Sequence, residues 1–134
     1  MAKIDGIGGV FIYSNNTKKL ADWYINVLGL SLQPLEDDSY YIELYYRSLI
    51  NSEKKLHTVF AIMPEKEKID DRRNQMMINY RVDNLVEFVD NLKSKQVIVD
   101  PIHEGQDAEG IGKFTHLLDP EGNKIELWQP STGV

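Results

Sequence analysis

Met77-Ile78-Asn79-Tyr80-Arg81-Val82-Asp83-Asn84-Leu85 decides the fold once it is laid over Gly9-Val10-Phe11-Ile12-Tyr13-Ser14-Asn15-Asn16-Thr17, a shift of 68 positions (77 minus 9). Each stretch is a strand-like run of β-branched and aromatic residues, closed by residues that favour turns and helix caps. A helical pattern follows each. After the first, Leu20, Trp23, Tyr24, Val27 and Leu28 recur at spacings of three and four, with Gly29 as a natural stop. After the second, Leu85, Phe88, Val89 and Leu92 do the same. Under the shift, Val10 falls on Ile78, Asn15 on Asp83, Leu20 on Phe88, Tyr24 on Leu92 and Leu30 on Ile98.

Further strand-like runs complete both halves. Leu30–Leu32, Tyr40–Tyr46 and His57–Met63 follow the first helix; Val97–Val99, Phe114–Leu118 and Lys124–Trp128 follow the second. The last two flank Asp119-Pro120-Glu121-Gly122-Asn123, which has Pro and Gly at turn-favoured places. Identical residues are few, but pattern and order repeat, and an internal duplication is the economical explanation. The expectation is one α+β domain over residues 1–134, made of two βαβββ modules that form a curved mixed sheet around a ligand-sized cavity. Module one spans about 5–63, a charged linker 64–75, with at most one helical turn, and module two about 76–130. His103–Gly112, rich in Gly and acid, reads as a mobile loop.

Composition narrows the function. The chain has 134 residues, 42% of them hydrophobic, enough for one core. Its net charge of −6, with no stripe of Lys and Arg, argues against nucleic acid as a partner. The charge would attract a cationic small molecule weakly, and it equally suits any soluble domain. With no cysteine there are no disulfides, thiolate metal sites or Cys nucleophiles. The start of the chain does not read as a signal peptide, and no apolar stretch has membrane-spanning length. A cytoplasmic location, away from the membrane, is expected.

Strand alternation separates two faces. Val10, Ile12, Ile42, Leu44, Ile78, Tyr80, Ile125 and Leu127 suit packing under the helices. The other parity carries Phe11, Tyr13, Tyr41, Glu43, Tyr45, Met77, Asn79, Arg81, Glu126 and Trp128. Aromatic area with a few orienting charges is the make-up of a small-molecule site, although each charge alone also suits a solvated sheet face. His116 is the imidazole suited to acid–base work if it faces the same side. Gly6–Gly9 precedes a strand, whereas phosphate-binding glycines follow one.

The run Gly8–Tyr13, the helix end Trp23-Tyr24-Ile25-Asn26-Val27-Leu28-Gly29-Leu30, the second start Met77–Leu85 and the ending Leu118–Pro130 together resemble the glyoxalase/bleomycin-resistance/extradiol-dioxygenase superfamily, the vicinal oxygen chelate proteins. The resemblance covers roughly Ile4 to Pro130. It implies paired βαβββ modules around a cavity, commonly in a homodimer. It also implies a divalent metal held by His, Glu or Gln on the first strand of each module and by Glu on the last strand. Carried over by position, those sites are Gly9, Met77 and Glu126, with a fourth near Thr58 or Phe60. Only Glu126 is a metal-binding type. His57, next to the fourth site, is expected to point to the other face.

The expectation is therefore a small-molecule-binding protein with no metal ligand set and no cofactor. Arg81 would meet an anionic or carbonyl group, Glu43 and Glu126 would set polarity, and Phe11, Tyr13, Tyr41, Tyr45 and Trp128 would supply stacking area. Two alternatives stay open. One is a drug-sequestering protein of the bleomycin-resistance type. The other is a metal-independent isomerase or lyase with Glu126 or His116 as catalytic base.

Overall fold

The computed structural model describes residues 7, 9–70, 76–107 and 110–131, and they fall into two units, Met1–Ile69 and Asp70–Val134. In the first unit the strands are β1 (Gly9–Ser14), β2 (Gln33–Pro34), β3 (Tyr40–Arg47) and β4 (Lys55–Pro64), with α1 over Thr17–Leu28. The sheet order is β1-β4-β3-β2, with β1 parallel to β4 and the other pairs antiparallel. Asn16 starts α1, its side chain accepting from the Lys19 amide. Gly29 ends it at φ 74°, where its amide turns back to the Tyr24 carbonyl. One stripe of α1, Leu20, Ala21 and Tyr24, is buried with Phe60 and Ile62 of β4, and the Tyr24 and Phe60 rings lie 5.4 Å apart. Each of the larger side chains contributes about 1.5–3 kcal/mol by leaving water.

The second unit repeats the plan. Its elements are β5 (Met77–Arg81), α2 (Leu85–Ser94), β6 (His103–Asp107), β7 (Gly110–Leu118) and β8 (Lys124–Gln129). The order β5-β8-β7-β6 is again first, fourth, third, second, with the first pair parallel. This shared order bears out the α+β class and the duplicated module. Asn84 caps α2 by accepting from the Glu87 amide, and the Gln129 side chain accepts from the Leu85 amide, tying the helix start to β8. Leu85, Val89 and Leu92 are buried, as are Leu117, Ile125 and Leu127 of the sheet. The β7–β8 turn is held by Asp119, whose carboxylate accepts from the Glu121 and Asn123 amides and the Asn123 side chain.

Several boundaries differ from expectation. Leu30–Leu32 forms no strand; the pairing falls on Gln33–Pro34, because the Leu32 amide bonds locally to the Leu30 carbonyl. Val97–Val99 is irregular, anchored by the Val97 amide on the Leu92 carbonyl. The stretch His103–Gly112, expected as a loop, is largely the β6–β7 hairpin. Its glycines serve close packing: a Cβ on Gly105 would stand 3.1 Å from the Phe114 ring, and one on Gly112 only 2.9 Å from the Gln129 carbonyl oxygen. Of the linker, residues 65–70 are irregular; Asn15 donates to the Glu65 and Glu67 carbonyls and accepts from the Ile69 amide. Its residues 71–75 lie outside the described ones.

Candidate functional site

In the second unit, cross-strand register sets out one face in rows, opposite the buried side chains beneath α2. One row is Asn79, Glu126 and His116, on β5, β8 and β7. The next is Arg81, Trp128, Phe114 and His103, one from each of the four strands. Met77 stands opposite Lys124 in the row on the other side of Asn79. The structure thus brings Asn79, Arg81, His116, Glu126 and Trp128 together, with Met77 at the margin.

Glu126 is the polar centre of this face. Its Oε1 accepts from Asn79 Nδ2 at 2.8 Å, and its Oε2 lies 2.7 Å from His116 Nε2. His116 therefore faces the sheet side away from α2. Two donors fix the carboxylate while leaving it lone pairs for a third. Beside it runs a ladder of nearly parallel planes. His103 stacks on His116 at 5.6 Å and on Phe114 at 5.8 Å, and Phe114 stacks on Trp128 at 6.4 Å. The Arg81 guanidinium carbon closes the ladder 5.1 Å from the Trp128 ring centre. The Trp128 indole donates to Asp107, which also accepts from the Ser131 amide and hydroxyl. The ring is thereby held in place.

His103 and Phe114 were missed as site residues. Phe114 was legible, since it shares parity with His116 on one strand. His103 was not, because Gly105 and Gly112 disguised its strand as a loop.

In the first unit, Phe11, Tyr13, Tyr41, Glu43 and Tyr45 do share the face opposite α1. Rows cross it as Phe11, Ala61 and Tyr41, and as Gly9, Val59 and Glu43, with Tyr45 opposite His57. Tyr45 donates to Glu43 at 2.6 Å; its ring lies 5.8 Å from His57 and 5.5 Å from the Lys55 ammonium. The hydrogen bond to Glu43, reinforced by that negative charge, raises the Tyr45 hydroxyl above its ordinary pKa of 10.0. Because the bond is made by the neutral phenol, Glu43→Gln is expected to lower the Tyr45 pKa towards that value. A ¹³C NMR titration of the tyrosine ring carbons checks it; an unmoved Tyr45 would deny the bond.

Two expectations fail here, both through register. Thr58 and Phe60 do not sit on the site face. Phe60 is buried against Tyr24, and Thr58 pairs with Leu44 and donates to the Ile7 carbonyl. His57, expected on the other face, instead stands beside Tyr45. The residue in line with Gly9 is Val59, and the Phe11 ring fills the space over Gly9, 2.9 Å from where a Cβ would stand. Among the described residues no group of three or more His, Asp or Glu is placed to hold a metal ion. A depression of about 860 Å³ in the first unit runs along Asn16, Lys18, Asp38 and Lys68 and includes none of the expected site residues.

The family model of the Glyoxalase/Bleomycin resistance protein/Dioxygenase superfamily matches residues 6–127. The chain belongs to that superfamily. Among the curated proteins none matches. Solved structures with the superfamily fold include an integron cassette protein from the mobile metagenome of V. cholerae, at 15% identity and TM-score 0.74, covering 98% of this chain and 99% of that one. An antibiotic-binding protein from Streptomyces, TnmS3, is 20% identical with a TM-score of 0.66 over 98% and 100% of the two chains. Lactoylglutathione lyase from Agrobacterium tumefaciens is 13% identical at TM-score 0.61, covering 97% of each. At these identities the likeness shows the fold. Superfamily membership carries the metal question with it, and the answer lies in the residues just placed.

Proposed function

We propose that this chain is a cytoplasmic small-molecule-binding member of the superfamily, with a degenerate metal site, that holds a planar organic ligand on the face of its second unit. The observation that carries the proposal is Glu126, whose two carboxylate oxygens are engaged by Asn79 and His116. A resident divalent ion needs about three protein ligands. Gly9 offers no side chain, Met77 a soft thioether suited to other metals, and Val59 a hydrocarbon. The residues present do not fit that group.

What remains fits an organic ligand. Glu126 is poised to accept from a hydroxyl or amine, and Arg81 to meet a carboxylate or carbonyl. The two stand one row apart, two residues or roughly 6.6 Å along the strands. In the Arg81 row, beside Glu126, Trp128 and Phe114 supply apolar area. 4-Hydroxybenzoate has a suitable span and is the probe of choice.

The test uses Trp23→Phe, which leaves Trp128 as the remaining indole of the two in the chain. Saturable quenching of its fluorescence by 4-hydroxybenzoate, unchanged by chelator, is expected. One zinc, nickel, iron or manganese per chain in the purified protein would overturn the proposal.

A second reading is favoured by the 2.7 Å contact between His116 and Glu126. That pair could move a proton, as a metal-independent isomerase or lyase requires. Glu126→Gln would then lose turnover while keeping affinity. Drug sequestration is a narrower form of the binding reading, and the antibiotic-binding neighbour supports it only through the shared fold.

A further inference from the structure

We propose that the β3–β4 turn docks on an anionic lipid bilayer, with Leu49 and Ile50 entering it and Arg47, Lys54 and Lys55 meeting its headgroups. The two apolar side chains are 104% and 94% exposed at the end of the hairpin. A single surface leucine needs no explanation. Two adjacent hydrocarbons at a protruding turn leave water only by entering an apolar partner.

The turn is built with its polarity inverted. Ser48 Oγ accepts from the Ile50 and Asn51 amides, each at 3.1 Å, and Asn51 Oδ1 accepts from the Glu53 amide. The Ser48 amide donates to the Lys54 carbonyl, the Lys54 amide to the Asn51 carbonyl, and Arg47 to the Ser52 carbonyl. Polar groups are thus occupied within the turn, while Leu49 and Ile50 are left outside. A segment that enters lipid must satisfy its backbone in this way, since hydrocarbon offers no partners.

Charge selects the kind of apolar partner. Between residues 47 and 55, Arg47, Lys54 and Lys55 outweigh Glu53, a local charge of +2 (three minus one) on a chain of −6. Arg47 stands directly opposite Lys55, a like-charge pair that is unfavourable across strands without an outside anion. Among the described residues, none of the three cations has a carboxylate in ion-pair range. Glu36, Asp37 and Asp38 precede β3, whereas the cations follow it. The eight residues of β3, roughly 26 Å, separate the two groups, well over the Debye length of about 8 Å at physiological salt. Glu43 is nearer, but it lies four residues before Arg47 and accepts from Tyr45.

Tyr46, half exposed opposite Leu56, adds a ring of the type that sits at headgroup level. A protein partner would need a cleft shaped to this tip; a bilayer accepts a convex apolar point with a cationic rim as it is. The contact is peripheral and needs no spanning segment, and no helix among the described residues is long and apolar enough to cross a membrane. The tip shares no residue with the Glu126 face, so it stands or falls separately from the ligand proposal.

Co-sedimentation of the full chain with vesicles tests it. Phosphatidylcholine vesicles with about 40% phosphatidylserine should pull the chain down, and about 0.5 M salt should release it. Pure phosphatidylcholine vesicles should bind at least about tenfold more weakly. Each cation near the surface is worth about fivefold in affinity, so Arg47→Gln/Lys54→Gln/Lys55→Gln should weaken binding on the order of 100-fold. Leu49→Asp/Ile50→Asp should weaken it by more than about tenfold. Both variants should keep the native circular dichroism, because every replaced side chain is exposed. A chain left in the supernatant with the anionic vesicles, equal binding to the neutral ones, or either variant binding like native would overturn the proposal. A native oligomer that Leu49→Asp/Ile50→Asp dissociates in sedimentation velocity would assign the tip to a second copy and overturn it too.

Discussion

Leu127→Ala is expected to cost about 3–4 kcal/mol in unfolding free energy. Leu127 is 1% exposed on β8, the strand that bonds to both β5 and β7, and its row partners Tyr80 and Thr115 point to the same buried side. Truncation leaves a cavity that paired strands cannot close. Thermal melting should show a midpoint lower by roughly 10 °C. Glu126→Gln, one residue away, points to the other face and keeps its volume, so its melting point should stay within about 2 °C. A Leu127→Ala chain with the native midpoint would deny that α2 and β8 share a core.

Arg81→Ala is expected to weaken 4-hydroxybenzoate binding by about 10- to 100-fold, the worth of a charge-assisted hydrogen bond to a carboxylate. Arg81 lies on an exposed position of β5, so little stability should go with it. Arg81→Lys should recover part of the affinity, because a point charge meets a carboxylate without the guanidinium's forked geometry or its stacking on Trp128. Titration calorimetry separates the three proteins. Equal affinity in all three would remove Arg81 from the site.

The fold was legible because its signals are local and repeated. Helix spacing at Leu20, Trp23 and Tyr24, with a cap before and Gly29 after, needs no tertiary information. The succession of strand, helix and further strands along the chain then repeats in both units. Register is another matter: a shift of one residue flips a whole strand. On β4 that shift moved Thr58 and Phe60 away from the site face and His57 onto it. The hairpin β6–β7 was hidden because Gly105 and Gly112 look like loop residues. Their reason for being glycine, the closeness of the Phe114 ring and the Gln129 carbonyl, exists only after folding. The contact of Glu126 with His116 was hidden in the same way: the two residues are ten apart, and only the β7–β8 register sets them opposite.

The most direct test of the binding account is a ¹⁵N NMR titration of the chain with 4-hydroxybenzoate. Saturable shifts are expected, centred on the side-chain amide of Asn79, the guanidinium of Arg81, the His116 imidazole and the Trp128 indole. Met77→His, which restores one ligand type, should change neither the pattern nor the metal content. Shifts confined to residues outside the second unit's Asn79 and Arg81 rows, with these four groups unmoved, would contradict it.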